Sequence, residues 1–174
     1  MKQFTVFLVV LIFCSCSSAP LIKSIKTGHE GETIPKLNLL IPGKTEYFHT
    51  EQLPLGKTNV LFYFSPTCPH CRVQMRTIVS NMEKFKDVQF TILTIADVAS
   101  TQPFIDRYRL KDFPNVVVGI DTGFVFPKYF GSAVVPFTAI YGPGGHLDSA
   151  YAGSIGLQQF KTLTQHKSIA QSIR

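Results

Sequence analysis

The sequence has 174 residues, of which 45% are hydrophobic and 12% aromatic. This apolar content suffices for one compact core with little surplus, so we expect a single folded domain. Seventeen basic residues against eleven acidic ones give a formal net charge of +6, but the basic residues are scattered singly. That scatter excludes a dense basic stretch of the kind that binds nucleic acid, and we expect no nucleic-acid partner.

The N-terminus has the pattern of an export signal. Lys2 precedes an apolar run over residues 4–13, and small or polar residues follow it directly. A helix that crosses a bilayer needs roughly twenty apolar residues, so this shorter run predicts a cleaved secretory signal rather than a membrane span. We therefore assign residues 1–15 to a signal peptide and expect an exported, periplasm-facing protein.

Cys16 follows Ser15 just behind the apolar run, and this arrangement resembles a bacterial lipoprotein signal. The resemblance implies that Cys16 is acylated, becomes the first residue of the mature chain and anchors it to an envelope membrane. Cleavage near Ala19 is the alternative and would release a soluble protein. Residues 16–33 carry Ser, Lys, Gly and Pro without a sustained period, so we expect a lipidated, flexible tether there and a folded domain over residues 34–174.

Predicted strands and helices alternate from residue 36 onward. Two short apolar stretches flank a Pro-Gly-Lys turn and predict a β-hairpin, and an unbroken apolar run predicts a central strand buried on both faces. Residues 110–132 mix strand and turn signals, and no element is assigned there. The predicted elements are strands over 37–41, 45–49 and 60–64, an amphipathic helix over 69–86, a strand over 88–95, a helix over 100–109 with Pro103 near its first turn, strands over 134–141 and 146–151, and a final helix from about 154.

Cys68 and Cys71 stand where the central strand passes into the amphipathic helix, and Pro69 and His70 separate them. Once the signal is removed and Cys16 is acylated, these two are the only free thiols. Cysteines three positions apart close too small a loop to staple a fold, so the pair is chemical rather than structural. A disulfide that forms and breaks between Cys68 and Cys71 is then the redox group, and we expect no other cofactor.

The position of the pair at a helix N-terminus predicts a role for each residue. Free amide donors and positive potential at that end favour a thiolate. Cys68 comes first and is the predicted nucleophile on a substrate disulfide, and Cys71, one helical turn later, resolves the mixed disulfide. Pro69 suits the opening turn of the helix, and the imidazole of His70 stabilises the thiolate and makes the disulfide more oxidising.

The segment from Phe62 to Cys71 resembles the active-site segment of thioredoxin-like proteins, and Pro69-His70 is the dipeptide of DsbA-type oxidases. Over residues 34–166 the arrangement is similar to envelope-tethered, TlpA-like thioredoxins. The resemblance implies an α/β thioredoxin-like fold, with a central mixed sheet flanked by helices and an N-terminal β-hairpin extension. It also implies that the partners are envelope proteins whose thiols and disulfides exchange with the pair, together with a membrane redox partner.

The resemblance implies a substrate-binding segment as well. In that family a proline at the start of a core strand is cis and faces the cysteines, which carries over to Pro136, with Val135 before it. The backbone of these two residues would bind an incoming peptide as an added strand. Val135 and Pro136 are therefore the expected substrate-binding residues.

Two positions depart from the family pattern. Thr67 stands where tryptophan is common, and Phe62 stands where many members keep a buried acid that relays a proton to the resolving cysteine. The proton relay is therefore unassigned. Lys57 and Glu51 are candidate substitutes, although exposed, solvated side chains are the simpler interpretation of both.

Two other functions stay open, and so does a non-enzymatic lipoprotein with a relic site. Cys68, Cys71 and a histidine could bind copper or zinc, but no second cysteine pair exists and the histidines lack ligand spacing, so we expect no metal. A peroxidase would attack hydroperoxides at Cys68, but Leu61 and Ser65 stand where peroxiredoxin-like sites carry Pro and Thr. The direction of electron flow is also open, because Pro69-His70 favours oxidation or isomerisation whereas the tethered architecture resembles reductases.

Overall fold

The structure is a computed structural model and describes residues 21–165. The predicted signal peptide over 1–15, Cys16 and the C-terminal residues 166–174 lie outside the described residues. Within that range the strands are β1 (Asn38–Leu40), β2 (Tyr47–His49), β3 (Thr58–Tyr63), β4 (Val88–Thr94), β5 (Val116–Ile120), β6 (Phe137–Tyr141) and β7 (Leu147–Ala152). The α-helices are α1 (Pro69–Val79), α2 (Val98–Tyr108), α3 (Val125–Tyr129) and α4 (Leu157–Gln165), and short 3-10 helices span Thr50–Gln52, Met82–Phe85 and Leu110–Asp112.

The strands of the described chain form one mixed sheet in the order β2-β1-β5-β4-β3-β6-β7. β3, β4 and β5 run parallel, β6 and β7 extend the sheet antiparallel on one side, and the β1–β2 hairpin extends it on the other. The predicted α/β fold, with a central mixed sheet, flanking helices and an N-terminal hairpin, is confirmed. The carboxyl ends of the three parallel strands meet at one edge, and Cys68 follows β3 at that edge.

β3 lies at the centre of the molecule because its side chains are buried on both faces of the sheet. Phe62 packs with Met75 of α1 in one core, and Tyr63 packs with Phe126 of α3 in the other. Successive side chains of a strand point to opposite faces, so an unbroken apolar strand supplies both cores. This burial fixes the point from which the chain passes into α1.

The predicted helix over residues 69–86 is wrong in its second half. α1 ends at Val79, and a separate 3-10 helix over Met82–Phe85 continues the apolar spacing. Asn81 helps to end α1, since its side-chain amide donates a hydrogen bond to Thr77 O at 2.9 Å. Such a bond satisfies one of the carbonyls that the last turn of a helix leaves free.

α2 begins earlier than predicted, at Val98, because Asp97 caps it. The Asp97 carboxylate accepts a hydrogen bond from Ser100 N at 2.7 Å, which satisfies a backbone amide of the first turn. Pro103, expected near the first turn, therefore lies inside the helix.

Residues 110–132, where the sequence predicts no element, contain β5 and α3. β5 is an inner strand between β4 and β1, and it accepts the hairpin because Gly119 has no side chain. A Cβ on Gly119 would lie 2.5 Å from Cβ of Leu39, well inside van der Waals contact. The glycine that looks like a turn signal in the sequence is instead a close approach between strands.

The segment over residues 21–33 departs from the expected flexible tether. Ile25 N donates to Ala150 O at 2.9 Å, and Gly31 N donates to Leu147 O at 2.9 Å, so the segment runs beside β7. β7 is an edge strand, whose outer backbone groups lack a strand partner. The segment provides that partner, and the packed part of the chain begins before residue 34.

Candidate active site

Cys68 is the N-cap of α1, at the junction with β3. Its Sγ accepts a hydrogen bond from Cys71 N at 3.3 Å, and Cys68 N donates to Ser65 O at 3.1 Å. Pro69 occupies the opening turn of the helix, where its missing amide hydrogen costs nothing. The sulfur therefore lies among the free amides of a helix N-terminus, where negative charge is stabilised.

The two thiols differ in exposure and in acidity. Both are free, Cys68 is half-buried and Cys71 is fully buried. Burial, with a smaller contribution from the hydrogen bond to Cys68, raises the pKa of Cys71 to about 12. Solvent and substrate reach the first sulfur, while the second is held as a protonated thiol beneath it.

Val135 and Pro136 lie against the cysteines, and the peptide bond between them is cis. The Cys68 thiol donates to Val135 O across 3.7 Å, and Pro136 O accepts a hydrogen bond from Gly153 N at 2.8 Å. The pairing of β6 with β3 explains this placement, because it brings the start of β6 beside the end of β3, where Cys68 follows. Four of the predicted site residues, the two cysteines and these two, thus meet at one place.

His70 has an exposed side chain, and its backbone carbonyl connects the helix to the loop before α4. Ser154 Oγ donates to His70 O at 3.2 Å, and one turn further along α1 the buried Gln74 accepts a hydrogen bond from Ile155 N at 2.6 Å. Together these bonds fix the first turns of α1. Neither Ser154 nor Gln74 was predicted from the sequence, although a glutamine on the apolar face of an amphipathic helix is a signal that could have identified Gln74.

The candidate proton-relay substitutes lie far from the cysteines. Lys57 precedes β3 and Cys68 follows it, so the six-residue strand separates them by about 20 Å at roughly 3.3 Å per residue. Glu51 lies in the 3-10 helix after β2, the outermost strand on the far side of the sheet, where it pairs with Lys36 at 3.9 Å. Phe62, at the family's acid position, is fully buried in the core.

Exposed apolar side chains surround this edge of the sheet. Ile95 follows β4, Phe124 follows β5 and Val134 precedes the cis-proline, with exposed fractions of 38%, 48% and 53%. Phe124 has a left-handed backbone (φ 55°), which is uncommon for a residue with a side chain. A bulky aromatic held half-exposed in this conformation is typical of a contact surface.

The carboxylate of Asp121 stabilises the backbone that follows Phe124. It is fully buried and accepts hydrogen bonds from Val125 N at 3.1 Å and from Phe126 N at 2.7 Å. These bonds start α3 immediately after Phe124. Neither Asp121 nor Phe124 was predicted from the sequence, because Asp121 follows an apolar strand in a segment with mixed signals.

Comparison with known proteins gives matches among solved structures alone. No protein-family model matches the chain, and no curated protein sequence matches it. MTB dsbF, solved in mixed oxidized and reduced forms, has 25% identity and a TM-score of 0.63, with 76% of this chain and 93% of that chain covered. The chain has the thioredoxin-like fold.

Two further structures with this fold are similar over most of their length. A secreted Mycobacterium tuberculosis disulfide oxidoreductase homologous to E. coli DsbE has 19% identity and a TM-score of 0.63, with 74% of this chain and 94% of that chain covered. A thiol:disulfide interchange protein DsbE from Chlorobium tepidum has 18% identity and a TM-score of 0.60, with coverages of 83% and 94%. Between residues 21 and 165, none of the helices has the length and apolar character needed to cross a membrane.

Proposed function

We propose that this chain is a thiol–disulfide oxidoreductase that acts on proteins through Cys68 and Cys71. One observation carries the proposal: a reachable thiol at the N-terminus of α1 lies 3.7 Å from Val135 O, beside the cis-proline Pro136, with a second thiol buried one turn later. The fold supports it, since similar solved structures include disulfide oxidoreductases.

The reaction begins from the dithiol. Cys68 loses its proton and attacks one sulfur of a substrate disulfide, so that a mixed disulfide forms and one substrate thiolate leaves. Cys71 then loses its proton and attacks Cys68 Sγ, which closes the Cys68–Cys71 disulfide and releases the second substrate thiolate. Two electrons pass to the substrate, and its two thiolates take up the two protons. The reverse sequence forms a substrate disulfide.

The helix N-terminus stabilises the Cys68 thiolate in the first step, and Pro69 and His70 tune that thiolate. The hydrogen bond from Cys71 N to Cys68 Sγ is already directed at the developing charge. The raised pKa of Cys71 keeps the second sulfur protonated while the first reacts. Loss of the Cys71 proton is therefore the costly part of the second step.

A protein substrate fits this site better than a small disulfide does. The segment Val135-Pro136 leads directly into β6, and a substrate peptide would lie along its backbone as an added strand. The exposed side chains of Ile95, Phe124 and Val134 offer apolar surface at the same edge of the sheet as the nucleophile, of the kind enriched where proteins associate.

We also propose that the protein is exported and held at an envelope membrane by a lipid on Cys16, where envelope proteins and a membrane redox partner would meet it. The apolar N-terminal run and the Ser15-Cys16 pair support this location. Metabolic labelling with a fatty acid in a bacterial host should label the wild type and Cys14→Ala but not Cys16→Ala. An unlabelled wild type, or equal labelling of all three proteins, would contradict a lipid on Cys16.

Insulin reduction and oxidative refolding of a reduced protein test the activity. Wild type should catalyse at least one of them, Cys68→Ser neither, and Cys71→Ser should accumulate mixed disulfides with envelope proteins. The proposal fails if wild type catalyses neither reaction and Cys71→Ser traps nothing. A glutathione titration then gives the direction, since a potential near about −270 mV indicates a reductase and one near about −120 mV a disulfide donor.

The alternative functions gain no support from residues 21–165. No three His, Cys, Asp or Glu side chains converge there in a way that could hold a metal ion, so nothing favours a copper or zinc function. The peroxidase alternative gains nothing either, because Leu61 is buried in β3 and Ser65 Oγ is hydrogen-bonded to Thr67 Oγ1 at 3.0 Å.

A further inference from the structure

The arginines of the described chain are concentrated on two neighbouring helices beside the nucleophile. Every arginine between residues 21 and 165 belongs to α1, to α2 or to the residue that caps α2, and all have exposed side chains. These residues are Arg72, Arg76, Arg107 and Arg109. These four arginines form two pairs that are far apart in the sequence, but the packing of α2 against α1 brings the pairs together.

These side chains line a groove that starts at the active site. A cleft of about 280 Å³ is lined by Thr67, the residue before Cys68, and by Arg72 and Arg107. A second cleft of about 560 Å³ is lined by Arg76, Arg107 and Tyr108. Because Arg107 lines both, the two clefts adjoin between α1 and α2, and we call them together the arginine groove.

Arg72 is fixed in position at the end of the groove near Cys68. Its Nε and Nη2 both donate to Pro66 O, at 3.1 and 3.0 Å, and Pro66 lies in the loop that leads to Cys68. Tyr108 closes the base of the groove, since its hydroxyl donates to Arg72 O at 3.1 Å and its ring packs on Phe104. The guanidinium is thus held with its remaining donors available to a ligand.

The acids near the groove are already engaged. Asp97 caps α2, Asp106 accepts a hydrogen bond from Gln102 Nε2 at 2.7 Å, and Asp112 pairs with Arg109 at 2.6 Å. Arg72, Arg76 and Arg107 have no ion-pair partner within the described range. The groove therefore presents three cations, and a guanidinium binds a carboxylate through paired hydrogen bonds.

We propose that the arginine groove binds an acidic segment of the partner protein, rich in Asp and Glu, next to the disulfide that Cys68 attacks. The groove begins one residue from the nucleophile and extends along two helices, which suits a polypeptide passing from the active site rather than a small anion. This inference rests on the proposed function and names its substrate class. The groove acts by positioning the partner, so it affects binding and not the sulfur chemistry.

Disulfide-bridged peptides with matched cores and acidic, neutral or basic flanks test the proposal. At low salt, wild type should react with the acidic peptide about 3- to 10-fold faster in kcat/KM than with the neutral one, mainly through KM, and the basic peptide should be slowest. The preference should disappear at about 1 M salt, where the Debye length falls to roughly 3 Å. This salt series needs no variant.

A double variant, Arg76→Gln with Arg107→Gln, identifies the surface. It should lose the acidic preference while its rate with the neutral peptide and its reduction potential match wild type. The control, Lys128→Gln with Lys161→Gln, removes the same charge from α3 and α4 and should keep the preference. Arg72 is left unchanged because it also supports the loop before Cys68.

The outcomes separate the two proposals. If wild type exchanges disulfides with none of the peptides, the proposed function itself fails. If it reacts equally with all three, or if the double variant keeps the acidic preference, the groove proposal fails and the oxidoreductase function stands. Loss of preference in the lysine control would also overturn the groove, because it would assign the effect to net charge.

Discussion

The high pKa of Cys71 predicts a slow second half-reaction that depends steeply on pH. Burial raises that pKa from 9.0 to about 12, so a thousandfold smaller fraction of Cys71 is thiolate at pH 7 than for an ordinary cysteine. A more basic thiolate is also a better nucleophile, which recovers about 16- to 32-fold for a Brønsted coefficient of roughly 0.4 to 0.5. Resolution should therefore be about 30- to 60-fold slower at pH 7 than for an unburied thiol.

Stoichiometric 5,5′-dithiobis(2-nitrobenzoate) measures the two steps separately by stopped flow. Attack by Cys68 releases the first equivalent of the coloured thiolate, and attack by Cys71 on Cys68 Sγ releases the second. Lowering the pH protonates Cys71 and removes its nucleophilic thiolate. The rate of the second phase should therefore increase nearly tenfold per pH unit from pH 6 to pH 9. Cys71→Ser is the control and should show the first phase alone.

A second phase that levels off below about pH 9 would refute this reasoning. Such a plateau would mean that a nearby base takes the Cys71 proton, although Lys57 and Glu51 lie elsewhere and Phe62 holds the position of the family's acid. The Cys71 proton would then have to leave through another group.

Two further predictions concern the framework of the site. Asp121→Ala should lower the free energy of unfolding by about 1–3 kcal/mol, because two buried amides at the start of α3 lose their acceptor, and urea denaturation should show a smaller loss for Asp121→Asn. Gly119→Ala should lower the free energy of unfolding by about 1–3 kcal/mol in the same assay, because the new Cβ would lie 2.5 Å from Cβ of Leu39. Gly144→Ala is the control and should lower it much less, because its Cβ would lie 3.4 Å from the His146 ring and Gly144 has no positive φ. Unfolding curves of Gly119→Ala and Gly144→Ala that coincide would contradict the close strand approach.

Much of the fold is predictable because its signals are local. The unbroken apolar run of β3 and the amphipathic spacing after Pro69 predict a buried strand followed by a helix, and both form there. The β1–β2 hairpin and the β6–β7 hairpin are predictable for the same reason, since a turn containing Pro and Gly separates two strand-length stretches in each.

The failures occur where contacts between distant residues decide the structure. Gly119 resembles a turn residue, yet it lies inside β5 because Leu39 packs against it. Residues 21–33 resemble a tether, yet they bind the edge of β7 through Ile25 and Gly31. Neither outcome has a signal in the local sequence, because the partner in each case is far away in the chain.

The sequence by itself indicates the chemistry proposed for this protein, because the strand, the helix start and the two cysteines follow one another directly between Thr58 and Cys71. Only the tertiary structure decided what surrounds them. It buried Cys71, brought Val135 within 3.7 Å of Cys68, and gathered Arg72 and Arg107 along one groove. The physical reason is that acidity, substrate contact and surface charge depend on neighbours in space, which folding selects from far apart in the sequence.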